Sequence, residues 1–293
     1  MSYCQSMVER LNTVIVKRPK EAFINQDYLS KEWEKFNFIK EPNFTEAENE
    51  YNEFITILRK HVEHIEFLPA SEITGLDSLY AHDPVKFTGK GAIILKSGKT
   101  LRQPEADVYK KLLQEKNIPI IGELTGSAVA DGGDIVWLDD RTLAVGRGYR
   151  TNDEAIRKIK EMTKEMVDEF IVVPLPHDQG EAECLHLMSL ISLVDTNLAV
   201  VYSRLMPVFF RQLLIKRGIR LIEVPEKEYH RLGCNVLALA PRVCVMVSGN
   251  PSTKQKLKDA GATVYEYKGH DISYLGTGGP TCLTCPVIRN SGG

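Results

Sequence analysis

Apolar positions fall into two patterns along this chain. Short runs rich in Val, Ile and Leu recur at residues 13–16, 91–95, 118–122, 135–138, 142–145, 170–173, 198–202, 220–224, 236–239, 243–247 and 263–267. Gly, Pro, Asp or Asn bound them, and their length predicts buried strands. Between them, residues 47–64, 105–116, 152–169, 206–217 and 252–260 space their apolar side chains at helical intervals, which predicts amphipathic helices. One phrase recurs: a helix, a strand ending at a polar position, a short turn, another strand. It runs from 112–122 into 131–138 and 143–145, and again from 213–224 into 235–239 and 244–247. There is no strict sequence repeat, no Pro/Ser-rich linker and no low-complexity tract. The simplest expectation is one α/β domain over residues 1–293, built from strand–helix modules around a central site.

Composition narrows the function classes. Hydrophobic residues make up 43% and charged residues 26% of the chain, as in soluble globular proteins. A formal net charge of −2 gives neither nucleic acid nor an anionic membrane a reason to be the main partner. No run of about 18 apolar residues is present to span a membrane. The opening MSYCQSMVERLN lacks the apolar segment of a secretory signal. The six cysteines, Cys4, Cys184, Cys234, Cys244, Cys282 and Cys285, are therefore expected to be reduced, in a cytoplasmic chain. Homo-oligomer formation stays open.

Candidate chemistry is concentrated in a few phrases. Cys282 follows Gly276-Thr277-Gly278-Gly279-Pro280-Thr281, placed after a strand. Glycines allow positive φ and close approach, and a cysteine after such a turn can face a pocket with backbone N–H groups that favour its thiolate. The same residues also fit a plain loop, a Cys282/Cys285 redox pair (disfavoured by Pro286) or half a metal site that lacks its second pair. Asp131-Gly132-Gly133-Asp134 fits either a tight hairpin turn or a carboxylate aimed into a pocket that glycines leave open. Asp77 and Asp83 flank Tyr80-Ala81-His82, a solvated turn or a pair that recognises a cation. His186 lies in an apolar stretch, at a predicted helix start, as a core histidine or a proton shuttle. Arg102 and Arg150 each precede a helix, as surface residues or as forks for a carboxylate. Each signal is weak singly. Together they fit attack on a guanidinium carbon: carboxylates hold the flat cation, the thiolate adds to its centre, and histidine protonates the departing amine.

In order along the chain, these pieces resemble the guanidine-modifying superfamily of dimethylarginine dimethylaminohydrolases, arginine deiminases and amidinotransferases, over roughly residues 12–288. The resemblance implies a five-bladed α/β propeller with pseudo-fivefold symmetry, the pentein fold, with its active site in the central cavity. It implies that Cys282 is the nucleophile, His186 the proton-transfer group, and Asp83 and Asp131 the guanidinium-binding carboxylates. Asp77 would bind the substrate α-amino group, and Arg102 and Arg150 its carboxylate. The implied enzyme is a cysteine-dependent hydrolase that needs no metal or organic cofactor. It would take a small guanidino amino acid, for example dimethylarginine and water to citrulline and dimethylamine, through a covalent amidino-thioether. The Leu-His-Leu and Arg-Thr-Asn phrases, the Asp77–Asp83 spacing and the compact length look more like dimethylargininases. Gly-Gly-Pro-Thr-Cys followed by Pro286 looks more like arginine deiminases. The guanidino substrate, the roles of His82 and Cys285, amidino transfer in place of hydrolysis, and a guanidino-binding protein without turnover all stay open.

Overall fold

The computed structural model describes residues 3–182 and 184–290. Its strands form five three-stranded sheets. The fifth sheet joins the two ends of the chain: β1 (Arg10–Val16) leads through α1 (Pro19–Ala22), α2 (Gln26–Glu32) and α3 (Phe44–Arg59) to β2 (His64–Phe67), and the last strand, β15 (Cys285–Asn290), returns to pair with β1. The other four sheets are consecutive. One contains β3 (Val85–Thr88), β4 (Gly91–Ile94), α4 (Glu105–Glu115) and β5 (Ile120–Glu123), and the next β6 (Ile135–Trp137), β7 (Thr142–Arg147), α5 (Asp153–Thr163) and β8 (Glu169–Pro174). Then come β9 (Ile191–Asp195), β10 (Leu198–Val201), α6 (Val208–Lys216) and β11 (Arg220–Glu223). After the single turn α7 (Glu226–Tyr229), the last module is β12 (Val236–Ala240), β13 (Val243–Val247), α8 (Pro251–Asp259) and β14 (Thr263–Tyr267).

Every module obeys one rule. The middle strand pairs antiparallel with one neighbour and parallel with the other. In the four consecutive modules a tight hairpin makes the antiparallel pair, and in the fifth the two chain ends make it. The parallel pair needs a crossover, which the helix supplies. The strands β3, β6, β9 and β12 are buried along nearly their whole length; β6 and β12 read as unbroken apolar runs, while β3 and β9 enclose Lys86, Thr88 and Ser192 with their apolar residues. They line the centre of the ring, where β12 packs on β9 and β15 on β3. The helices cover the outside through one apolar stripe each. In α3, for example, Ala47, Tyr51, Phe54, Ile55 and Leu58 are buried at helical spacing. This is the propeller that the resemblance implies.

The structure shortens some predicted elements and adds others. Residues 60–63 leave the helix predicted over 47–64, and α5 ends at Thr163 rather than at 169. The strands β2, β3, β9 and β15 are absent from the apolar runs singled out in the sequence, because each is short or interrupted by a polar or proline residue. The loop of Cys282 comes after β14 but does not leave it directly: a π-helical turn, His270–Tyr274, intervenes, and β15 follows the cysteine.

Candidate active site

The five modules deliver their polar residues at one place, the entry to each central strand. Asp83 lies two residues before β3, Asp131 four before β6, His186 five before β9, Asn235 one before β12 and Cys282 three before β15. Asp131, Gly132, Gly133 and Asp134 form a 3₁₀ turn, not a hairpin. The glycines there serve close approach rather than positive φ. A Cβ on Gly132 would stand 2.3 Å from the His82 carbonyl oxygen, and one on Gly133 would stand 2.4 Å from His186 Nδ1.

His186 stands between the two aspartates. Its Nε2 is 3.1 Å from Asp131 Oδ2, and its Nδ1 is 4.0 Å from Asp83 Oδ1. Asp131 also accepts from the Gly98 N–H at 3.2 Å and faces Arg150 Nη1 at 3.6 Å. Asp83 accepts from the Gly133 N–H at 3.0 Å and is paired with Arg102. Asp134 lies behind this layer, accepting from Thr151 Oγ1 at 2.6 Å and from the Leu187 N–H at 2.9 Å. The Arg-Thr-Asn phrase is thereby explained residue by residue. Arg150 faces Asp131, Thr151 holds Asp134, and Asn152 caps α5 by accepting from the Ala155 N–H.

Two thiols border the imidazole. Cys184 Sγ lies 3.7 and 3.8 Å from the two His186 nitrogens and 3.6 Å from Arg150 Nη2. Cys282 Sγ accepts from Asn235 Nδ2 at 3.3 Å. Asn235 Oδ1 in turn accepts from the backbone N–H and hydroxyl of Thr281, at 3.0 and 2.8 Å. A Cβ on Gly279 would stand 2.3 Å from the Asn235 side chain, so this clamp needs glycine there. Cys184 and Asn235 are absent from the sequence-derived site. Their signals were present: Cys184 is two residues from His186, and Asn235 opens its strand in the same recurring phrase as Asp131.

The charge states follow from these contacts. Burial favours neutral carboxyls, but Arg102 and then His186 outweigh it at Asp83 and hold it well below the usual range. At Asp131 the hydrogen bond from His186 likewise prevails over burial. Burial disfavours the imidazolium, yet Cys184, Asp83 and Asp131 together raise His186 well above its ordinary value. Cys184 is lowered, since His186 and Arg150 overcome its burial. Cys282 is raised by burial, then by Asp83 and Cys184. Burial and these neighbours oppose the thiolate at residue 282, against the expectation that its loop would favour it. Asp134 is pushed up to about 6 by burial.

The remaining candidates divide. Arg102 is buried, with its guanidinium engaged by Glu105 on two sides (3.0 and 2.9 Å), by the Tyr80 carbonyl (2.8 Å) and by Asp83. It braces Asp83 from behind and is not presented to a ligand carboxylate. Asp77 is buried against Lys99, whose Nζ lies 2.6 Å from its Oδ2. Cys285 is buried in β15 and unpaired, as all six cysteines are. Asp83, Asp131 and His186 bring one ligand atom each within 4.8 Å of one another. That set is able to hold a divalent ion, and equally a flat organic cation.

Comparison with known proteins bears on the fold and the family. The chain is 27% identical over 289 residues to the uncharacterized protein YkgA of Bacillus subtilis, covering 98% of this chain and 95% of that one. It is 27% identical over 195 residues to the arginine deiminase of Mycobacterium avium, covering 56% of this chain and 47% of that one. Among solved structures, a Pseudomonas aeruginosa dimethylarginine dimethylaminohydrolase variant complexed with citrulline superposes with a TM-score of 0.77 at 21% identity, covering 96% of this chain and all (100%) of that one. The N-terminal domain of the cyanobacterial arginine dihydrolase ArgZ, bound to its substrate, gives 0.78 at 18% identity, covering 94% and 98%. These two likenesses establish the fold, and the family model for eukaryotic N,N-dimethylarginine dimethylhydrolases matches residues 18–289, so the chain belongs to the dimethylarginine dimethylaminohydrolase family.

Proposed function

We propose that this chain hydrolyses the guanidino C–N bond of a small guanidino acid of the arginine and methylarginine kind, with Cys282 as nucleophile. The observation that carries this reading is the convergence of Asp83, Asp131, His186 and Cys282 at the entries of four different central strands. Two ionised, buried carboxylates beside an imidazolium suit a planar cation with N–H groups on both edges.

A guanidinium held between Asp83 and Asp131 offsets the negative field that raises Cys282. Cation binding then releases the thiol proton to solvent only when a target is in place. The Cys282 thiolate attacks the guanidinium carbon and forms a C–S bond. His186 gives its proton to the nitrogen that will leave, the C–N bond breaks, and a neutral amine departs. A cationic amidino-thioether remains on Cys282. Neutral His186 then takes a proton from water, the hydroxide adds to the same carbon, and collapse expels the Cys282 thiolate. The ureido product forms after loss of one proton. Division into two displacements lowers each barrier, and proton transfer by histidine contributes about 10²–10⁴-fold. Asn235 steadies the sulfur, Arg102 fixes Asp83, and Arg150 is the cation left to meet the ligand carboxylate.

The test is a product assay over arginine, its methylated forms and shorter guanidino acids, scoring ammonia against dimethylamine with and without an acceptor amine. Ureido product that disappears in Cys282→Ser supports the reading. Amidino transfer to the acceptor, or tight guanidino binding without product, replaces it.

A further inference from the structure

Asp77 is the carboxylate that the family resemblance assigns to a ligand α-amino group, and here its partner is part of the chain. Lys99 Nζ lies 2.6 Å from Asp77 Oδ2 and donates to the Phe36 carbonyl at 2.8 Å. It also stands 5.4 Å from the centroid of the Phe36 ring. The side chains of Lys99 and Asp77 are only 16% and 9% exposed, so the pair is a built feature rather than a surface encounter. The backbone fixes it from both sides. Phe36 packs so closely on Gly75 that a Cβ there would meet its ring at 1.9 Å. On the other side Gly98, next to Lys99, donates to Asp131 and leaves no room for a Cβ beside Arg150, whose Cα would be 2.9 Å away. Residues 98 and 99 thus form one rim that carries Asp131 and Arg150 at one end and Asp77 at the other.

We propose that Lys99 determines specificity by occupying the amine position of the site, so that the chain takes ω-guanidino acids without an α-amino group, such as γ-guanidinobutyrate, in preference to arginine and its methylated forms. This inference rests on the proposed function. Arg102 is neutralised by Glu105 and Asp83. At the rim Lys99 is matched by Asp77, and Arg150 faces Asp131 at 3.6 Å. Once a guanidinium engages Asp131, Arg150 is the cation left for a bare carboxylate. An α-amino acid brings an ammonium that must either face Lys99 or expel it from a largely buried ion pair and strand a second cation beside it. Like-charge juxtaposition and a broken buried pair are both strong penalties. Agmatine, with an amine and no carboxylate, fares worst.

Calorimetric binding to Cys282→Ser protein reads this directly, with γ-guanidinobutyrate, β-guanidinopropionate, L-arginine, asymmetric dimethylarginine and agmatine as the probes. The expected order places γ-guanidinobutyrate roughly tenfold or more ahead of arginine, with agmatine last. In Lys99→Met on the same background, that ratio should collapse or invert. Arginine binding as tightly as γ-guanidinobutyrate in the single variant overturns the inference without any need for the second. An unchanged ratio in a folded Lys99→Met protein overturns it too. Parallel turnover by the protein with Cys282 intact separates the two claims: preference without ureido product removes the hydrolase reading and keeps Lys99 as selector, and product with arginine preferred does the reverse.

Discussion

His186 Nε2 lies 3.1 Å from Asp131 Oδ2, and Asp131 is 0% exposed. An imidazole facing an anion that water cannot reach keeps its proton to higher pH than an exposed one. Burial works against the imidazolium, but Cys184, Asp83 and Asp131 outweigh it. The sign is therefore that of a raised histidine: the acid form is full below the unfolded value and is lost as pH rises through the folded one. An amine-leaving step that needs this acid should hold its rate through neutrality and fall on the basic side. In Asp131→Asn the charge is gone, and the basic limb of kcat/KM should move to lower pH. NMR titration of the His186 ring in Cys282→Ser protein should show the same displacement without turnover. A limb that stays in place would assign the acid to another group.

The two thiols of the site should react in opposite order to their proposed importance. Cys184 is lowered by His186 and Arg150 against its own burial, while burial, Asp83 and Cys184 raise Cys282. Thiolate, not thiol, is the nucleophile. With the site free of ligand at neutral pH, iodoacetamide should label Cys184 faster than Cys282, read by peptide mapping after short exposure. Chloroacetamidine, whose cation resembles the guanidinium, should reverse the order by lodging between Asp83 and Asp131. Amidine labelling at Cys285 in place of Cys282 would refute the nucleophile assignment.

The difference between what the chain announces and what it hides has a physical basis. The strands of 198–202, 236–239 and 243–247 are legible because a strand buried on both faces is an unbroken apolar run. β15 is not, since Cys285-Pro286-Val287-Ile288-Arg289-Asn290 mixes polar residues and proline into a strand held by its partner β1. Asp83, Asp131, His186 and Cys282 stood out by residue type, and Asp131 and Cys282 also by the glycines near them. Arg102 was equally visible, but its burial behind Asp83 depends on Glu105 one turn later, and an Arg-x-x-Glu pair reads as an ordinary helix-entry contact. Asn235 carries no charge, and only the fivefold placement of polar residues at strand entries reveals it. The Lys99–Asp77 pair spans 22 positions, a separation over which sequence spacing holds no geometric information.

Asn235 should prove nearly as important as the charged groups. Its Nδ2 donates to Cys282 Sγ at 3.3 Å while its Oδ1 holds Thr281 by two hydrogen bonds. Hydrogen bonds to a charged partner contribute about 1.5–3 kcal/mol, which is roughly 10–100-fold in rate when the charge is the attacking thiolate. Asn235→Ala should lower kcat by about that factor and raise the pH at which Cys282 is alkylated by an amidine. Asn235→Asp should do worse, because it sets another carboxylate against the sulfur. Equal kcat in Asn235→Ala and the parent protein would reduce the residue to a loop anchor.

Acid stability should be governed in part by His82, which carries no assigned chemistry. The residue is 5% exposed, and its Nδ1 lies 2.9 Å from the Thr284 carbonyl. A carbonyl only accepts, so the ring's proton sits on Nδ1; Nε2 has no protein partner. Burial first, then Lys86, lowers His82 from 6.5 to about 4. The sign is opposite to that of His186. Between those two values the unfolded chain binds the proton and the folded one refuses it, so stability declines as pH falls from 6.5 to 4. At 1.36 kcal/mol per pH unit, the loss is about 3 kcal/mol across the window. In His82→Asn the side-chain amide can still donate to Thr284 but does not titrate. Urea unfolding at several pH values should show a shallower acid slope for His82→Asn than for the parent between pH 6.5 and 4, with the slopes becoming parallel below pH 4. Parallel slopes within that window would mean that His82 takes up its proton inside the fold. Because the His82 N–H also holds the Cys282 carbonyl at 3.2 Å, the cysteine loop should then loosen before the rest of the molecule as the pH drops.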